Sequence, residues 1–595
     1  MNFKSILINY EKKMLYDDLI LKIFKISIII FVSIYLIGNI VPYFEGSDSF
    51  VYGITAIQLS QGSYGITNEL LQNTGHWEFV PFQWVKTNQN VAVPGTNIGL
   101  PVIGAFFYLI GGYGGLFYLG PIFTILLLIS SERIASNLFG KYVGLLTLIF
   151  VATNLFILRV GTELLTDNIF TLFFIWGCFY LIKFFQNKKE NHLLFASIFF
   201  TIATFMRITG AISLPIEIIL VGGYFLFQIK IKKNHEIHTK TITIKPRKIL
   251  KTIIFITVPW ILFLLFWFSY NNYYFGDPMT NYNNIVGPYP VWYEKGPPSS
   301  FFEFDSQRYE FIKGYSKFLL PYPISAIHQI TENYDEVLGK NFLGIISILI
   351  IISSLAVSLN DKNKRMEIIV LATFIVLFIG FFSSSYITPS DRILYGLIDR
   401  YVIPIMPLFF MMLGYLIIRI LKRTSIEQTY IRNLHNTFKI LFIGFLIAFF
   451  GVAFYYSPPL QLLENEDFTF KDPGKLDNRY PLNLEGLSKN SVVVVTKGSW
   501  AVDYGATPFN PFWGYRIAGN FDPTLLHKES IDILKETISE GYDVYVFKKS
   551  SYHSDKPFFK YLSDNHGIIL KNYSNTFCKM ELRENNNDKT DEICI

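Results

Sequence analysis

Charge is the scarcest thing in this sequence. Asp, Glu, Lys and Arg make up 16% of its 595 residues, against roughly 25% in ordinary soluble chains. The shortfall falls in apolar runs of about 17–25 residues, the length that crosses a bilayer. Hydrophobic residues make up 51% of the chain, and its mean hydropathy is +0.34. An ordinary soluble domain is thereby excluded. Also missing is a Walker loop, which removes an ATP-driven pump. No GxGxxG lies between a strand and a helix, and no HExxH is present. Span centres carry few charges, unlike those of an ion-coupled transporter. The net charge is +6, but the basic residues sit in short loops and form no extended patch, so no nucleic-acid partner is expected. No small-residue cleavage site follows the first apolar run. That run is too long for a signal h-region and reads as a retained anchor. Of three cysteines, Cys178 lies in an apolar run. Cys578 and Cys594 lie in the tail, as two free thiols or as a disulfide if the tail faces an oxidising compartment.

What is present is a regular alternation of apolar runs and signed loops. Lys4, Lys12, Lys13, Lys22 and Lys25 cluster at the start of a span at about Ile23–Val41. The positive-inside rule places that end in the cytoplasm. An outer stretch with interfacial helices follows over 42–112. Its last piece, Ile98–Gly112, is short for a span and reads as a helix lying in the outer leaflet. Further spans are expected at Tyr113–Ser131, Tyr142–Leu158, Ile169–Ile182, His192–Phe205, Ala211–Phe227, Thr252–Phe268, Phe342–Leu359, Ile368–Ser385, Tyr401–Ile418 and Phe438–Phe454. Every loop then assigned inside is rich in Lys and Arg. Counting Ile98–Gly112 as a full span would invert each later loop and destroy that pattern.

The expected fold is therefore a polytopic α-helical membrane protein of about eleven spans over residues 1–457. A small extracytoplasmic α/β domain over 458–595 would follow. In that tail SVVVVT (Ser491–Thr496) and DVYVFK (Asp543–Lys548) read as buried strands, and KESIDILKETISEG (Lys528–Gly541) as a helix stopped by glycine.

Chemistry-bearing residues concentrate at the outer ends of spans. Glu45 and Asp48 surface directly after the first span, in YFEGSDSFVYGITAIQLSQG. Asp48 reads either as a solvated charge flanking a helix or as part of a site. A second acid, Asp167, emerges on the same side in GTELLTDNIF, where TDN would equally serve as a helix cap. Two acids at a membrane–water boundary can hold a divalent cation, Mg or Mn, or take a proton from a hydroxyl. Arg207, Arg392 and Arg400 also fall outside, against the charge bias. A guanidinium there is a snorkelling anchor or the partner of a held anion, and phosphate fits its fork. In the aromatic outer loop around Trp77 and Trp84, Lys86 could bridge to a phosphate. Asp277, in the FGDP turn, reads as structural.

Taken together, EGSDSFVYGITAIQLSQG, PGTNIGLPVIGAFFYLIGG, ERIASNLFGKYVGLLTLIFVATNLFILRVGTELLTDNIF, FMRITGAISLP, YYFGDP and DRYVIPIMP resemble the C-type superfamily of membrane glycosyltransferases over about residues 20–420. That superfamily includes protein O-mannosyltransferases and aminoarabinose transferases of lipid A. The resemblance implies a donor sugar on a polyprenyl phosphate and a lipid, glycan or protein acceptor. It implies Asp48 as general base or metal organiser, with Asp167 in the same cavity and Arg400 facing the lipid phosphate. Many relatives carry adjacent Asp-Glu in the first loop. Here Ser49 follows Asp48, and Glu45 lies three residues earlier. The competing reading is a transporter or flippase of lipid-linked sugars, which would share the arginines but need no base at Asp48.

Overall fold

The protein is described from a computed structural model. It describes residues 3–40, 46–65, 84–89, 91–94, 97–235, 246–279, 339–359, 361, 364–385, 402–423, 444, 492–494, 535–547, 567–573 and 577–582. Backbone buried in lipid or in a packed core must satisfy its own hydrogen bonds, and most of the described residues do so as helix. The chain runs through α1 (Phe3–Gly38), α2 (Gly46–Ser60), a short hairpin of β1 (Trp84–Lys86) and β2 (Ala92–Pro94), and α3 (Gly99–Phe139). Next come α4 (Lys141–Ala152), α5 (Leu155–Thr162), α6 (Asp167–Asn187), α7 (Asn191–Met206) and a 3₁₀ turn at Ile208–Ile212. Then follow α8 (Ser213–His235), α9 (Pro246–Phe275), α10 (Gly339–Leu359), α11 (Arg365–Ser385) and α12 (Met406–Arg423). Among the described residues six helices are long and apolar enough to cross a membrane, or seven if α4 and α5 count as one bent span. The chain is a multi-pass helical membrane protein. All of the expected span at Phe438–Phe454 but residue 444, and the expected domain boundary at 457/458, lie outside the described residues.

Two apolar runs behave differently from a simple span. The 41 residues of α3 would reach about 60 Å as one straight helix, twice a hydrocarbon core of about 30 Å. The break comes at Gly112, whose φ of 58° and ψ of −144° leave the helical region, a conformation open only to glycine. It coincides with the boundary read between Ile98–Gly112 and the following span. The second case is a correction. Tyr142–Leu158 was expected to be one continuous span, but the chain bends by 62° between α4 and α5. Local side chains supply the cause. The Thr153 hydroxyl donates to the Ile149 carbonyl at 2.8 Å, and Asn154 caps α5 by accepting from the Ile157 N–H at 3.1 Å. Asn in that role ends one helix and starts the next.

The chain forms two compact units, each assembled from separated segments. The first comprises Met1–Ile40, Tyr118–Trp267 and Pro288–Glu466. Its core is aromatic. Phe174 of α6 meets Phe200 of α7 and Phe374 of α11 at ring centroid distances of 5.8 and 5.5 Å. All three rings are fully buried. Gly177 makes room for this: a Cβ there would stand 2.5 Å from the Phe200 ring.

The second unit comprises Val41–Phe117, Phe268–Gly287 and Asp467–Ile595. In it the loop after β1 packs on the end of α9, the Asn88 N–H donating to the Tyr274 carbonyl at 2.9 Å. Tyr64 and Tyr270 share a hydroxyl–hydroxyl bond of 2.8 Å; burial pushes the Tyr64 phenol well above its usual range. Asp277 accepts from the Met279 N–H at 3.0 Å, a turn role as expected. The tail contributes a four-stranded sheet in the order β3 (Val492–Val494), β4 (Val544–Phe547), β6 (Phe577–Leu582), β5 (Ile568–Asn572). β3 and β4 are parallel and the other pairs antiparallel. Residues 535–539 are helical and stop before Gly541, whose φ is +87°. Cys578, in β6, is disulfide-bonded, Cys178 is a buried free thiol, and Cys594 lies outside the described residues.

Close approach between α3 and the α5–α6 turn depends on Gly120. A Cβ there would lie 2.4 Å from the Glu163 carbonyl and 2.9 Å from that of Gly161. Gly120→Ala is therefore expected to destabilise the chain by about 1–3 kcal/mol through overpacking. Gly222→Ala, which meets nothing within 4 Å, should be neutral or slightly stabilising. Thermal unfolding of the two variants in detergent checks the difference.

Candidate functional site

Asp167 is the first residue of α6 and is completely buried. It is not the helix cap. That position belongs to Thr166, which makes no side-chain capping bond, so the capping reading of TDN does not hold. The Asp167 carboxylate instead pairs with Arg207, 40 residues further on. Arg207 stands where α7 ends. Its extended backbone, φ −147° and ψ 128°, stops the helix and lets the 3₁₀ turn begin. The guanidinium is also largely buried, with 14% of its side chain exposed.

The pair is held from both sides. Next to Asp167, the Asn168 carboxamide donates to Thr124 Oγ1 of α3 at 2.7 Å and to the Ile157 carbonyl of α5 at 2.8 Å. This ties three helices at one point. Across from it, Gly210 lets the turn after Arg207 lie against α7 and α6. A Cβ there would stand 2.9 Å from Thr204 and 3.0 Å from Phe170. Thr166 Oγ1 and Asn168 Oδ1 are buried acceptors without a hydrogen-bond partner. Glu163, just before them, pairs with Arg159 at 3.6 Å.

A different charge layer marks the far end of the same unit. α6 is 21 residues long, about 31 Å at 1.5 Å per residue, close to the thickness of a hydrocarbon core. At its other end Gln186 donates to Glu367 at 2.8 Å, and Lys364 lies 3.4 Å from the same carboxylate. Lys364 also donates to the Leu138 carbonyl, and Arg419 pairs with Asp361 at 3.4 Å. Lys25 of α1 joins Glu132 and Ser136 of α3. The residues brought together here are those the charge bias had assigned to one face, and Asp167 and Arg207 occupy the opposite end of α6.

The remaining candidates divide plainly. Asp48 lies in the first turn of α2, half-buried, in the second unit; Asp167 and Arg207 belong to the first. Lys86 is in β1, and its side chain lies outside the described residues, as do Glu45, Arg392 and Arg400. Among the described residues no three of His, Cys, Asp and Glu group to hold a metal. The Asp167 carboxylate faces a guanidinium, so these residues do not by themselves make an ion site. Two buried polar residues were missed. Asn168 is one. Glu217, fully buried on α8, is the other. An isolated acid in the apolar run SLPIEIILVGG was the available signal.

Residues 102–246 match the family of dolichyl-phosphate-mannose-protein mannosyltransferases, a segment that contains Asp167, Arg207 and Glu217. In fold the chain is similar to ArnT from Cupriavidus metallidurans bound to undecaprenyl phosphate. The two are 10% identical, covering 94% of this chain and 97% of that one at a TM-score of 0.51. The archaeal oligosaccharyltransferase AglB from Archaeoglobus fulgidus, in complex with an inhibitory peptide and a dolichol-phosphate, aligns at 11% identity. It covers 94% of this chain and 74% of that one at a TM-score of 0.45. No curated protein matches the chain in sequence. The fold is like that of ArnT, in keeping with the resemblance that the sequence motifs carry. The mannosyltransferase family match, over residues 102–246, points to glycosyl transfer as the kind of chemistry.

Removing one member of a buried ion pair leaves the other charge unpaired, at a cost of about 3–5 kcal/mol. Arg207→Ala should lose stability on that scale. The Asp167→Leu, Arg207→Met double variant should recover part of the loss, because both charges are gone. A double-mutant cycle by thermal unfolding measures this, and purely additive losses would contradict the pairing.

Proposed function

We propose that the chain transfers a sugar from a polyprenyl-phosphate carrier to an acceptor hydroxyl at the extracytoplasmic face of the membrane. The observation that carries this reading is the buried Asp167–Arg207 pair at one end of α6, inside the segment that matches the mannosyltransferase family. That family is named for a dolichyl-phosphate-linked mannose, and the ArnT structure of similar fold is bound to undecaprenyl phosphate. Both names point to a prenyl-phosphate donor.

In this scheme the acceptor oxygen attacks the anomeric carbon, and the bond from that carbon to the phosphate oxygen breaks. Asp48 takes the acceptor proton. Polyprenyl phosphate leaves as an anion, stabilised by basic groups, with Arg207, Arg392, Arg400 and Lys86 as candidates. Asp167 orients Arg207. Glu45 is the alternative acid of the first loop. A divalent cation, Mg or Mn, would need ligands besides Asp167. The N-terminus would be cytoplasmic and the tail extracytoplasmic. The disulfide at Cys578 supports that placement of the tail, since disulfides persist in oxidising compartments.

Asp48→Asn separates a transferase from a flippase. With undecaprenyl-phosphate-linked sugars as donors, release of undecaprenyl phosphate should fall by about 10²–10⁴-fold. Binding of undecaprenyl phosphate should persist. Unchanged release in Asp48→Asn would remove Asp48 from the reaction.

A further inference from the structure

Arg207 sits at the tip of a helical hairpin whose arms are α7 and α8. Ten residues before it stands Ser197 and ten residues after it stands Glu217. The two side chains meet: the Ser197 hydroxyl donates to Glu217 Oε1 at 2.8 Å, and both residues have no solvent exposure. The bond therefore closes the hairpin about 14 Å below its tip, nine residues of α7 at 1.5 Å each. An acid at this depth is unusual. Burying an ionisable group in an apolar span is costly and is seldom tolerated without a purpose. No described residue offers Glu217 a cation. Its second oxygen is buried without a partner, and the Trp260 indole of α9 lies beside the carboxyl without completing a hydrogen bond.

The arms need such a fastening. α7 and α8 are joined by a 3₁₀ turn rather than by continuous helix, and the extended backbone at Arg207, whose N–H still closes α7 on the Ala203 carbonyl, ends that helix there. Above Glu217 the turn is fixed by the Ser213 hydroxyl bonding to the Gly210 carbonyl at 2.7 Å and by the close fit of Gly210 against Thr204. Below it, the Ser197–Glu217 bond joins the two arms.

We infer that Glu217 is a positioning residue: through its hydrogen bond to Ser197 it clamps the α7–α8 hairpin and aims Arg207 at the lipid phosphate. This rests on the proposed role of Arg207 in binding that phosphate. The clamp works through a hydrogen-bonding carbonyl oxygen, not through a charge, so glutamine at this position can replace it.

The test uses the full chain in detergent with undecaprenyl phosphate as the probe, binding being read by native mass spectrometry and folding by thermal unfolding. Glu217→Leu and Ser197→Ala should each weaken binding roughly tenfold. Glu217→Gln should bind within about twofold of the parent chain. Glu217→Leu combined with Arg207→Ala should bind no worse than Arg207→Ala alone, because the clamp acts through that arginine. Additive losses in the combined variant would overturn the inference. So would wild-type binding in both Glu217→Leu and Ser197→Ala, or binding by Glu217→Gln as weak as by Glu217→Leu. If Arg207→Ala itself binds normally, the phosphate role of Arg207 fails, a result distinct from failure of the clamp.

Discussion

A carboxylate and a guanidinium buried together at the end of a membrane helix are the constraint on which the first unit is built. Neither Asp167 nor Arg207 could be taken out of water alone without a penalty of several kcal/mol. Each is therefore placed by several independent contacts. Asn168 fixes the start of α6 to α3 and α5. Gly210 seats the turn after Arg207 against Thr204 and Phe170. Behind them the Phe174, Phe200 and Phe374 rings give α6, α7 and α11 a rigid common core. Packing of this kind is what allows a charged pair to keep one geometry in a low-dielectric setting.

The same helix defines the two ends of the unit. About 28 Å of α6 separates Asp167 from the Gln186–Glu367–Lys364 layer. The layers differ in kind. The far layer is broad and mixed, joining α1, α3, α6, α11 and α12 through partly exposed ion pairs, the sort that contribute little to stability individually. The Asp167 end is narrow and nearly dry, and it leaves the buried oxygens of Thr166 and Asn168 without a donor.

Much of this was legible in the sequence, though unevenly. Apolar runs and loop charges located the helices, because span length and Lys/Arg bias follow directly from bilayer physics. Gly112 was readable as a break, since the run before it is too short to span. Asp167 and Arg207 stood out singly, as an acid and a cation at span ends, but nothing in the sequence says that residues 40 apart will pair. The bend at Thr153–Asn154 stayed hidden because hydropathy averages over the two polar residues that cause it. Glu217 was hidden in the same way, as one acid diluted by Leu, Ile and Val. Its bond to Ser197 is a tertiary fact. In the tail, β3 and β4 were readable from their short apolar runs, SVVVVT and DVYVFK. β6 was not read, although FCKMEL alternates apolar and charged residues as a half-buried strand does.

The most direct test of this account is a structure of the full chain with undecaprenyl phosphate bound in a lipid nanodisc. The account predicts the phosphate within hydrogen-bond reach of Arg207, at the Asp167 end of α6. A phosphate held instead among Lys364, Arg419 and Lys25, at the other end, would contradict it.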